Sequence, residues 1–520
     1  MESLKRIKGY LAGAKGRRLL FWLILAAGIF ARVWEFGIVP GDINQDEAFA
    51  GYEAYSILKY GIDTAGYRYP IYLTAWGSGM NALESYLMMP FIALFGLKVW
   101  VIRLPQVIVG CLSIWVVYLL VRRTVNEKAG MLAMFMLAIC PWHIIMSRWG
   151  LESNLAPGFL LFGLYFFVLG LEKPRFLMLS ALMYGLSLYA YSAFWPYIPF
   201  IILFELIYSM AYKKIRFDWN LVFSGVILAV LAVPLLIFFA INNGLMDEIC
   251  TPYFSIPKLL YMRSGELSFD EKQKKLELFL SIFVDQTDNH IWNSPEKFGL
   301  FYYFSAPFGI FGLIFCIREL VSAARAKKFC PPLLLIIQLV VSLPQLILVK
   351  INATKVNIMF IPVVILIALG IYFFCEIGFK KLLPVIAAVY TVLFVSFECY
   401  YFTDYREACE PHFSYGFGDA LEYAMDNGEH VYLDQNTFYP KVLFYSKLPV
   451  ETFRDTVQYE YYPASYLTAI SFDRFSFWVN PYEPEDDAVY VFPRGRDRGI
   501  LEEAGFSFEN FGLYQVACKK

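Results

Sequence analysis

Long apolar segments recur along this chain, and they constrain its fold more than any other feature. Of its 520 residues, 58% are hydrophobic and only 17% are charged, and the mean hydropathy is +0.52. About 20 mostly apolar residues cross the roughly 30 Å hydrocarbon core of a bilayer as a helix. We therefore predict an α-helical polytopic membrane protein with about eleven transmembrane helices, near residues 19–33, 104–121, 129–146, 155–171, 176–194, 196–211, 219–241, 299–317, 331–349, 356–375 and 382–401.

The distribution of Lys and Arg predicts the orientation of these helices. Basic residues cluster before the first span and in every second connection after it, and such residues resist translocation. The clusters are Lys5, Arg6, Lys8, Lys15, Arg17 and Arg18; Arg122, Arg123 and Lys128; Lys173 and Arg175; Lys213, Lys214 and Arg216; Arg318, Arg325, Lys327 and Lys328; and Lys380 and Lys381. The N-terminus is then cytoplasmic, and the large connections 34–99 and 242–298 and the C-terminus are extracytoplasmic.

Hydropathy alone leaves two segments ambiguous. Leu83 to Leu97 is apolar, but counting it as a span would place every later basic connection outside, so we predict a helix at the membrane interface. The first span has the basic start and apolar middle of a signal peptide. Because it lacks a convincing cleavage site, we interpret it as an anchor.

The sequence changes character after residue 401. Strand-like runs and helical patterns alternate there, at Asp419 to Met425, His430 to Leu433, Phe475 to Val479, Ala488 to Phe492, Asp497 to Ala504 and Leu513 to Ala517. We therefore divide the chain into a transmembrane domain, residues 1–401, and a small extracytoplasmic mixed α/β domain, residues 402–520.

Several common chemistries have no signal in this sequence. The net charge is −1 and no basic block exceeds the clusters beside the spans, which argues against nucleic acid as a partner. There is no P-loop or dinucleotide glycine pattern, and the four His and nine Cys residues have no zinc-site spacing. We expect no cofactor and no metal ion, and the external cysteines do not require a disulfide.

Two adjacent carboxylates, Asp46 and Glu47, lie in the first external connection. They open a helical pattern that runs to about Lys59, in which Asp46 and Glu53 share a face. Acids at a helix N-terminus often only cap the helix and complement its dipole. Alternatively, a partly desolvated carboxylate at the membrane surface is basic enough to take a proton from an acceptor hydroxyl. Spacing alone leaves both interpretations open.

The N-terminal part of the chain resembles a known superfamily. Its motifs, in order, are Asp46-Glu47-Ala48, Phe95-Gly96-Leu97, Arg103-Leu104-Pro105, Pro141-Trp142-His143 and Ser147-Arg148. The order of these motifs, their spacing and the side of the membrane predicted for each resemble those of bacterial members of the GT-C superfamily. The resemblance is strongest to the dolichyl-phosphate-mannose protein mannosyltransferase and aminoarabinose transferase group. The resemblance covers residues 19–200 by motif and the rest of the chain mainly by topology.

The resemblance implies a glycosyltransferase of the cell membrane with a polyprenyl-phosphate sugar donor bound within the lipid. The sugar would be transferred on the extracytoplasmic face to a hydroxyl of an acceptor protein, lipid or glycan. Relatives place an essential Asp in the first external connection, and the matching residue is Asp46, which we predict to be the general base, with Glu47 as its neighbour. A single inverting displacement then needs one base and no covalent sugar intermediate.

The leaving lipid phosphate requires cations near the membrane surface. Arg103 and Lys355 match basic positions of relatives, and Arg148 lies where relatives carry functional polar residues. Interfacial anchoring and snorkelling are the simpler explanations for Arg103 and Lys355. The full set of candidates for the donor phosphate is Arg103, Arg148, Lys355, Arg68 and His290, and the further site candidates are Glu152, Asn154 and Glu53.

The chain also departs from the pattern of these relatives. Many of them have a Lys-Pro-Pro stretch late in the first external connection that meets the donor phosphate. Here Gly77-Ser78-Gly79-Met80-Asn81-Ala82 occupies that place, and Arg68 upstream is a candidate substitute.

Other classes of protein remain as alternatives. A transporter or flippase of polyprenyl-linked glycans would place charges near the bilayer midplane, whereas the spans here are nearly free of charge apart from Arg32 and Glu205. An oligosaccharide transferase or polymerase with a lipid-pyrophosphate donor would often use more acids to bind a divalent metal. A sensor would explain the C-terminal domain but not the long first connection.

Overall fold

The computed structural model of the chain describes residues 13–262, 272–345, 351–477 and 484–519. Three parts of the sequence predictions lie outside the described residues: the basic residues before position 13, the end of the span 331–349, and the last two residues of the strand predicted at Phe475 to Val479.

Most of the described chain is helical. In chain order, helices α1 to α22 are Ala14–Val33, Gln45–Tyr60, Leu83–Phe95, Val99–Ile102, Leu104–Thr124, Glu127–Ile139, Pro141–Met146, Glu152–Gly170, Phe176–Leu188, Ile198–Ala211, Trp219–Asn242, Lys272–Leu280, Ala306–Arg325, Pro331–Ser342, Ala353–Val356, Phe360–Phe374, Leu383–Phe402, Asp404–Cys409, Phe417–Asn427, Tyr439–Ser446, Val450–Thr456 and Gly499–Glu503.

The strands are short and concentrate near the C-terminus. In chain order, β1 to β11 are Tyr72–Leu73, Met80–Asn81, Ile249–Cys250, Ser255–Ile256, His430–Leu433, Gln458–Tyr459, Ala469–Phe472, Phe475–Phe477, Ala488–Pro493, Ser507–Phe511 and Tyr514–Cys518. The strand-like runs of the sequence correspond to β5, β8, β9 and β11, and the helical patterns between them correspond to α19 and α22.

Several helices suit a bilayer by length and composition. Within the described ranges, five helical segments are long and apolar enough to cross a membrane, namely Leu104–Thr124, Glu152–Gly170, Trp219–Asn242, Tyr303–Arg325 and Ala353–Phe402. Helices α3, α9, α10 and α14 are apolar but shorter. The total of eleven spans and their orientation in the membrane remain predictions.

One predicted span, 129–146, is interrupted in the structure. Helix α6 ends before Cys140, and α7 starts at Pro141, which has no N–H to continue the helical ladder. The carbonyls of Leu137 and Ala138 instead accept hydrogen bonds of 3.0 Å from the Arg32 guanidinium. The sequence prediction was wrong here because it followed hydropathy across a proline.

The start of another predicted span also differs from the sequence prediction. The prediction placed this span at 299–317, but α13 begins at Ala306, and its Pro307 lies in the first turn, a position that proline favours.

Small residues allow two long helices to approach closely. A Cβ atom on Gly312 of α13 would overlap the carbonyl of Leu366 in α16, and one on Gly370 would overlap the carbonyl of Phe308. Such contacts stabilise helix pairs in lipid, where the hydrophobic effect does not drive association.

The C-terminal region forms a mixed sheet of seven strands in the order β10-β11-β9-β5-β8-β7-β6. Strand β5 is parallel to both neighbours, β8 and β9, while the other pairs are antiparallel. Buried Val431, Val489 and Val516 lie in the core of this region, against which α19 and α20 pack. The domain boundary at 401/402 and the extracytoplasmic location remain predictions.

The C-terminal region packs directly on the first connection. Helix α20 lies against α2, and the Tyr52 hydroxyl in α2 donates a 2.5 Å hydrogen bond to the Leu448 carbonyl just after α20. Helix α2, which carries the carboxylate pair, is therefore held by the C-terminal region of the chain as well as by the helical bundle.

Candidate active site

The two adjacent carboxylates lie in the first turn of α2. Asn44 is the N-cap, and its side chain accepts a 3.0 Å hydrogen bond from the Asp46 N–H, while Glu47 Oε2 accepts one of 3.1 Å from the Asn44 N–H. This capping box satisfies donors that open a helix. The capping interpretation therefore applies to Glu47, and Asp46 next to it is half-buried.

Glu47 is also half of a buried ion pair. Arg103, the N-cap of α5, donates from Nε to Glu47 Oε1 at 2.7 Å and from Nη2 to Oε2 at 2.8 Å, and both side chains have no exposed surface. The Gly150 N–H donates to the same carboxylate at 2.6 Å. Bidentate geometry and a further hydrogen bond compensate the cost of burying both charges.

The remaining donors of Arg103 hold the start of the first connection. They reach the Pro40 carbonyl at 2.9 Å and the Asp42 carbonyl at 2.7 Å. One guanidinium thus joins the segment before α2 to the first turn of α2 and, through Glu47, to the second connection at Gly150.

A third acid, Glu84, lies beside this ion pair. It is buried at the start of α3 and accepts a 3.0 Å hydrogen bond from Gln106 Nε2. Burial raises the pKa of Glu84 well above its ordinary value, and the charges of Glu152, Glu47 and Asp46 raise it further. A Cβ atom on Gly150 would lie 3.1 Å from Glu84 Oε1, so glycine lets the second connection approach these carboxyls closely.

The second connection, between α7 and α8, contributes Glu152 to the same group. The Asn81 N–H donates to the half-buried Glu152 carboxylate, and Glu152 acts electrostatically on Glu84. The structure therefore brings together Asp46, Glu47, Arg103 and Glu152, which the sequence analysis selected from three separate segments.

The C-terminal region supplies two further contacts. Asp42 accepts hydrogen bonds from the Gly418 N–H at 3.0 Å and from the Tyr445 hydroxyl. Burial lowers the pKa of Lys441 in α20 to about 8, against the opposing charges of Asp42 and Asp46. The Lys441 ammonium group donates its hydrogen bond to Ser414 Oγ.

Arg148 occupies a different environment from the one that the sequence analysis predicted. Its guanidinium is fully buried and lies 5.2 Å from the ring centroids of both Tyr401 and Phe402. Its N–H groups donate at 2.6–3.2 Å to the carbonyls of Ala31, Trp34, Glu35 and Val39. These contacts tie the end of α1 to the second connection.

Asn154 lines a narrow cleft, and His290 and Lys355 are close in the chain to other residues of its lining. The cleft is lined by the second connection, by residues 292–293 and by Ala353 and Thr354 at the start of α15. Asp288 accepts a 2.9 Å hydrogen bond from the first N–H of that helix, at Ala353. His290 is 44% exposed, with Nδ1 2.8 Å from the Asp288 carbonyl, and Lys355 is half-buried.

Glu53 and Arg68 belong to another part of the first connection. Glu53 is fully buried two turns after Asp46 and accepts hydrogen bonds from the Thr64 N–H, at 3.0 Å, and from its hydroxyl. Burial raises the pKa of Glu53 well above its ordinary value, and the charge of Asp63 adds to this. Arg68 is exposed and its backbone pairs with that of Ile62 in an antiparallel bridge.

Sequence reasoning missed Glu84 and Lys441. An acid inside an apolar segment was an available signal for Glu84, but the segment was interpreted only as an interfacial helix. Lys441 carries no local signal, because its position depends on how the C-terminal region packs on α2.

No group of three or more His, Cys, Asp or Glu side chains suited to a metal ion occurs within the described ranges. All nine cysteines are free thiols in this structure.

Part of the chain is similar to a known protein family. Residues 82–238 match the family model described as dolichyl-phosphate-mannose-protein mannosyltransferase. No curated protein matches the sequence.

The fold is similar to that of ArnT from Cupriavidus metallidurans. The crystal structure of ArnT bound to undecaprenyl phosphate matches with a TM-score of 0.58 and 13% identity, over 97% of this chain and 98% of that chain. Its apo state matches with a TM-score of 0.51 at the same identity and coverage. The apo oligosaccharyltransferase of Archaeoglobus fulgidus matches with a TM-score of 0.50 and 12% identity, over 85% of this chain and 64% of that chain.

The chain therefore has the fold of the GT-C membrane glycosyltransferases, and this fold supports the superfamily predicted from its motifs. Within that superfamily, the matched family model is that of the protein mannosyltransferases, and it covers α3 to α10 and most of α11.

Proposed function

We propose that this protein transfers a sugar from a polyprenyl-phosphate donor to an acceptor hydroxyl on the extracytoplasmic face of the membrane. The observation that carries the proposal is the position of Asp46, half-buried at the N-terminus of α2 and held by the Glu47–Arg103 pair. The donor class is supported by ArnT, a protein of similar fold whose crystal structure is bound to undecaprenyl phosphate.

In the proposed reaction, Asp46 accepts the proton of the acceptor hydroxyl while the hydroxyl oxygen attacks the anomeric carbon of the donor. The bond from that carbon to the phosphate oxygen breaks, and the polyprenyl phosphate leaves with the electron pair. One base and one in-line displacement give inversion at the anomeric carbon. The helix N-terminus favours the ionised form of Asp46, which is the form that acts as a base.

We place the donor phosphate near Lys355 and His290 rather than at the two buried arginines. Arg103 and Arg148 direct their N–H groups at a carboxylate and at backbone carbonyls, so binding a phosphate there would break several hydrogen bonds. A fully buried cation with these partners is better suited to holding the connections in place. Asn154 lines a cleft together with Thr354, the chain neighbour of Lys355, and lies on the same helix as Glu152, which joins the acidic group around Asp46.

The experiment that tests this function is in vitro transfer with the purified protein and a panel of polyprenyl-phosphate sugars, followed by mass analysis of membrane and cell-envelope acceptors. The proposal predicts one added sugar residue and release of polyprenyl phosphate. Transfer only from polyprenyl-pyrophosphate oligosaccharides would instead support an oligosaccharide transferase. Movement of the donor across proteoliposomes without chemical change would support a flippase.

A further inference from the structure

A cavity of about 500 Å³ lies where three segments of the chain meet. Its walls come from residues 64–77 of the first connection, from residues 258–260 and from residues 439–467 of the C-terminal region. The lining includes none of the acids around Asp46. Cavities of roughly 300–1,000 Å³ are the size that commonly holds a small molecule or part of a larger one.

The backbone holds the three walls together. The Leu467 N–H donates a 3.0 Å hydrogen bond to the Trp76 carbonyl, and the Tyr261 N–H donates one of 2.9 Å to the Gly77 carbonyl. The rings of Trp76 and Tyr466 also stack, with 5.7 Å between their centroids. The cavity is therefore formed by the fold itself, as small-molecule sites usually are.

Tyrosine rings make up much of the lining. Tyr439 is only 5% exposed, and its ring meets that of Tyr459 edge-on with 6.4 Å between centroids. Tyr459 in turn stacks on the exposed Tyr462 at 6.0 Å, and Tyr67 joins them from the first connection. A tyrosine offers a ring face that packs on the C–H face of a sugar and a hydroxyl that bonds to polar groups. This combination suits a saccharide.

Two cations also line the cavity. Arg454 in α21 and Lys258 come from different walls, and both side chains are exposed. The Arg454 guanidinium packs against the turn at Gly66, where an added Cβ atom would overlap it and where a φ of +94° also favours glycine.

The acids near these cations are engaged with other groups. Among the described residues that line the cavity, none is acidic. Asp63 is buried and accepts a 2.7 Å hydrogen bond from the Tyr67 N–H, and Glu248 accepts one of 2.6 Å from the Tyr67 hydroxyl. The lining itself therefore carries positive charge, which suits a carboxylate or phosphate group.

From this geometry we infer that the cavity is a second binding site, which takes an anionic saccharide. The tyrosine rings contact the sugar, and Arg454 and Lys258 bind a carboxylate or phosphate that it carries. The inference goes beyond the proposed function, because the site shares no lining residue with the group around Asp46 and binding there requires no sugar transfer.

The test is calorimetric binding to the full-length protein of three matched probes: a galactose trisaccharide, its uronic acid counterpart and its 6-phosphate. At least one acidic probe should bind about tenfold or more tightly than the neutral one, and more weakly as salt is added. The acidic probe that binds more tightly identifies the anionic group.

Arg454→Gln and Lys258→Gln should each weaken binding of the acidic probe by about tenfold and leave binding of the neutral probe unchanged. Both residues are exposed, so the melting temperature should stay near that of the wild type. Arg498→Gln is the matched control, because Arg498 is an exposed arginine of the C-terminal region outside the cavity lining.

Equal affinity for acidic and neutral probes, no binding of either acidic probe at millimolar concentration, or unchanged binding in Arg454→Gln overturns the inference. Asp46→Asn should bind the acidic probe like the wild type, and loss of binding there would show that the site is not separate. If sugar transfer is never observed but the acidic probe binds through Arg454, the proposed function fails while this site stands.

Discussion

Glu47 and Arg103 form a two-bond ion pair across 56 positions of sequence, and neither side chain has any exposed surface. The pair links the first and second connections, because Glu47 also accepts a hydrogen bond from the Gly150 N–H and Arg103 also donates one to the Pro40 carbonyl. Asp46 precedes Glu47 directly in the chain, so the ion pair restrains its position. We regard the pair as the support that fixes the proposed base.

Glu47→Gln should destabilise the protein by about 3–5 kcal/mol, because it leaves the Arg103 guanidinium buried beside a neutral group. The loss is measured as a lower melting temperature of the purified protein. Glu172→Gln is the control, because the Arg123–Glu172 pair is exposed and its loss should change the melting temperature little. Equal melting temperatures for Glu47→Gln and the wild type would show that the pair does not support the site.

Arg148→Lys should lower the melting temperature and leave the KM for the donor unchanged. Lysine keeps the charge but cannot make the guanidinium contacts to the carbonyls of Ala31, Trp34 and Val39. The measurement pairs thermal unfolding with donor kinetics. A raised donor KM at normal stability would favour the sequence prediction that Arg148 binds the phosphate.

Lys355→Gln should raise the KM for the donor several-fold and change the KM for the acceptor little, because the proposed phosphate lies beside the lysine. Lys381→Gln, at an exposed residue of the predicted cytoplasmic side, is the matched control. An unchanged donor KM in Lys355→Gln would show that the donor phosphate binds elsewhere.

The contact between Asp42 and the C-terminal region should depend on pH. Burial raises the pKa of Asp42 to about 6, partly opposed by the Gly418 hydrogen bond and the Arg103 charge. In the unfolded chain an Asp titrates near ~3.9. Since the folded pKa is the higher one, stability from this group is full below about pH 4 and is lost as the pH rises through about 6.

Asp42→Asn removes this titration and keeps an acceptor for the Gly418 N–H. Relative to the wild type, the variant should therefore gain melting temperature between about pH 4.5 and about pH 7.5. The comparison requires melting curves for both proteins across that range. A difference that does not vary with pH would contradict the assigned titration.

Local sequence signals were sufficient for much of the architecture. The acids and Asn44 marked the start of α2, and alternating aromatic and β-branched residues marked β5 and β9. These features depend on residues only a few positions apart, so they can be predicted from hydrophobic periodicity and from helix-capping patterns. Strands β6 and β7 were not predicted from the sequence.

The partners of the charged residues were not predictable in the same way. The sequence placed Arg103 and Arg148 near the membrane surface, but it did not indicate that one would pair with Glu47 and the other with carbonyls at the end of α1. Lys441 lies near the first connection only because α20 and α2, which are distant in sequence, pack together. Long-range pairing is decided by tertiary packing, which a local pattern does not encode.

The central claim is that Asp46 is the general base, and the direct measurement is the rate of sugar transfer by Asp46→Asn with its melting temperature. Asparagine preserves shape but cannot accept the proton, so the rate should fall by about 10²–10⁴-fold while folding and membrane insertion are retained. Asp42→Asn is the matched control, changing an acid four residues earlier, and should keep most of the rate. Transfer by Asp46→Asn at the wild-type rate would contradict the account.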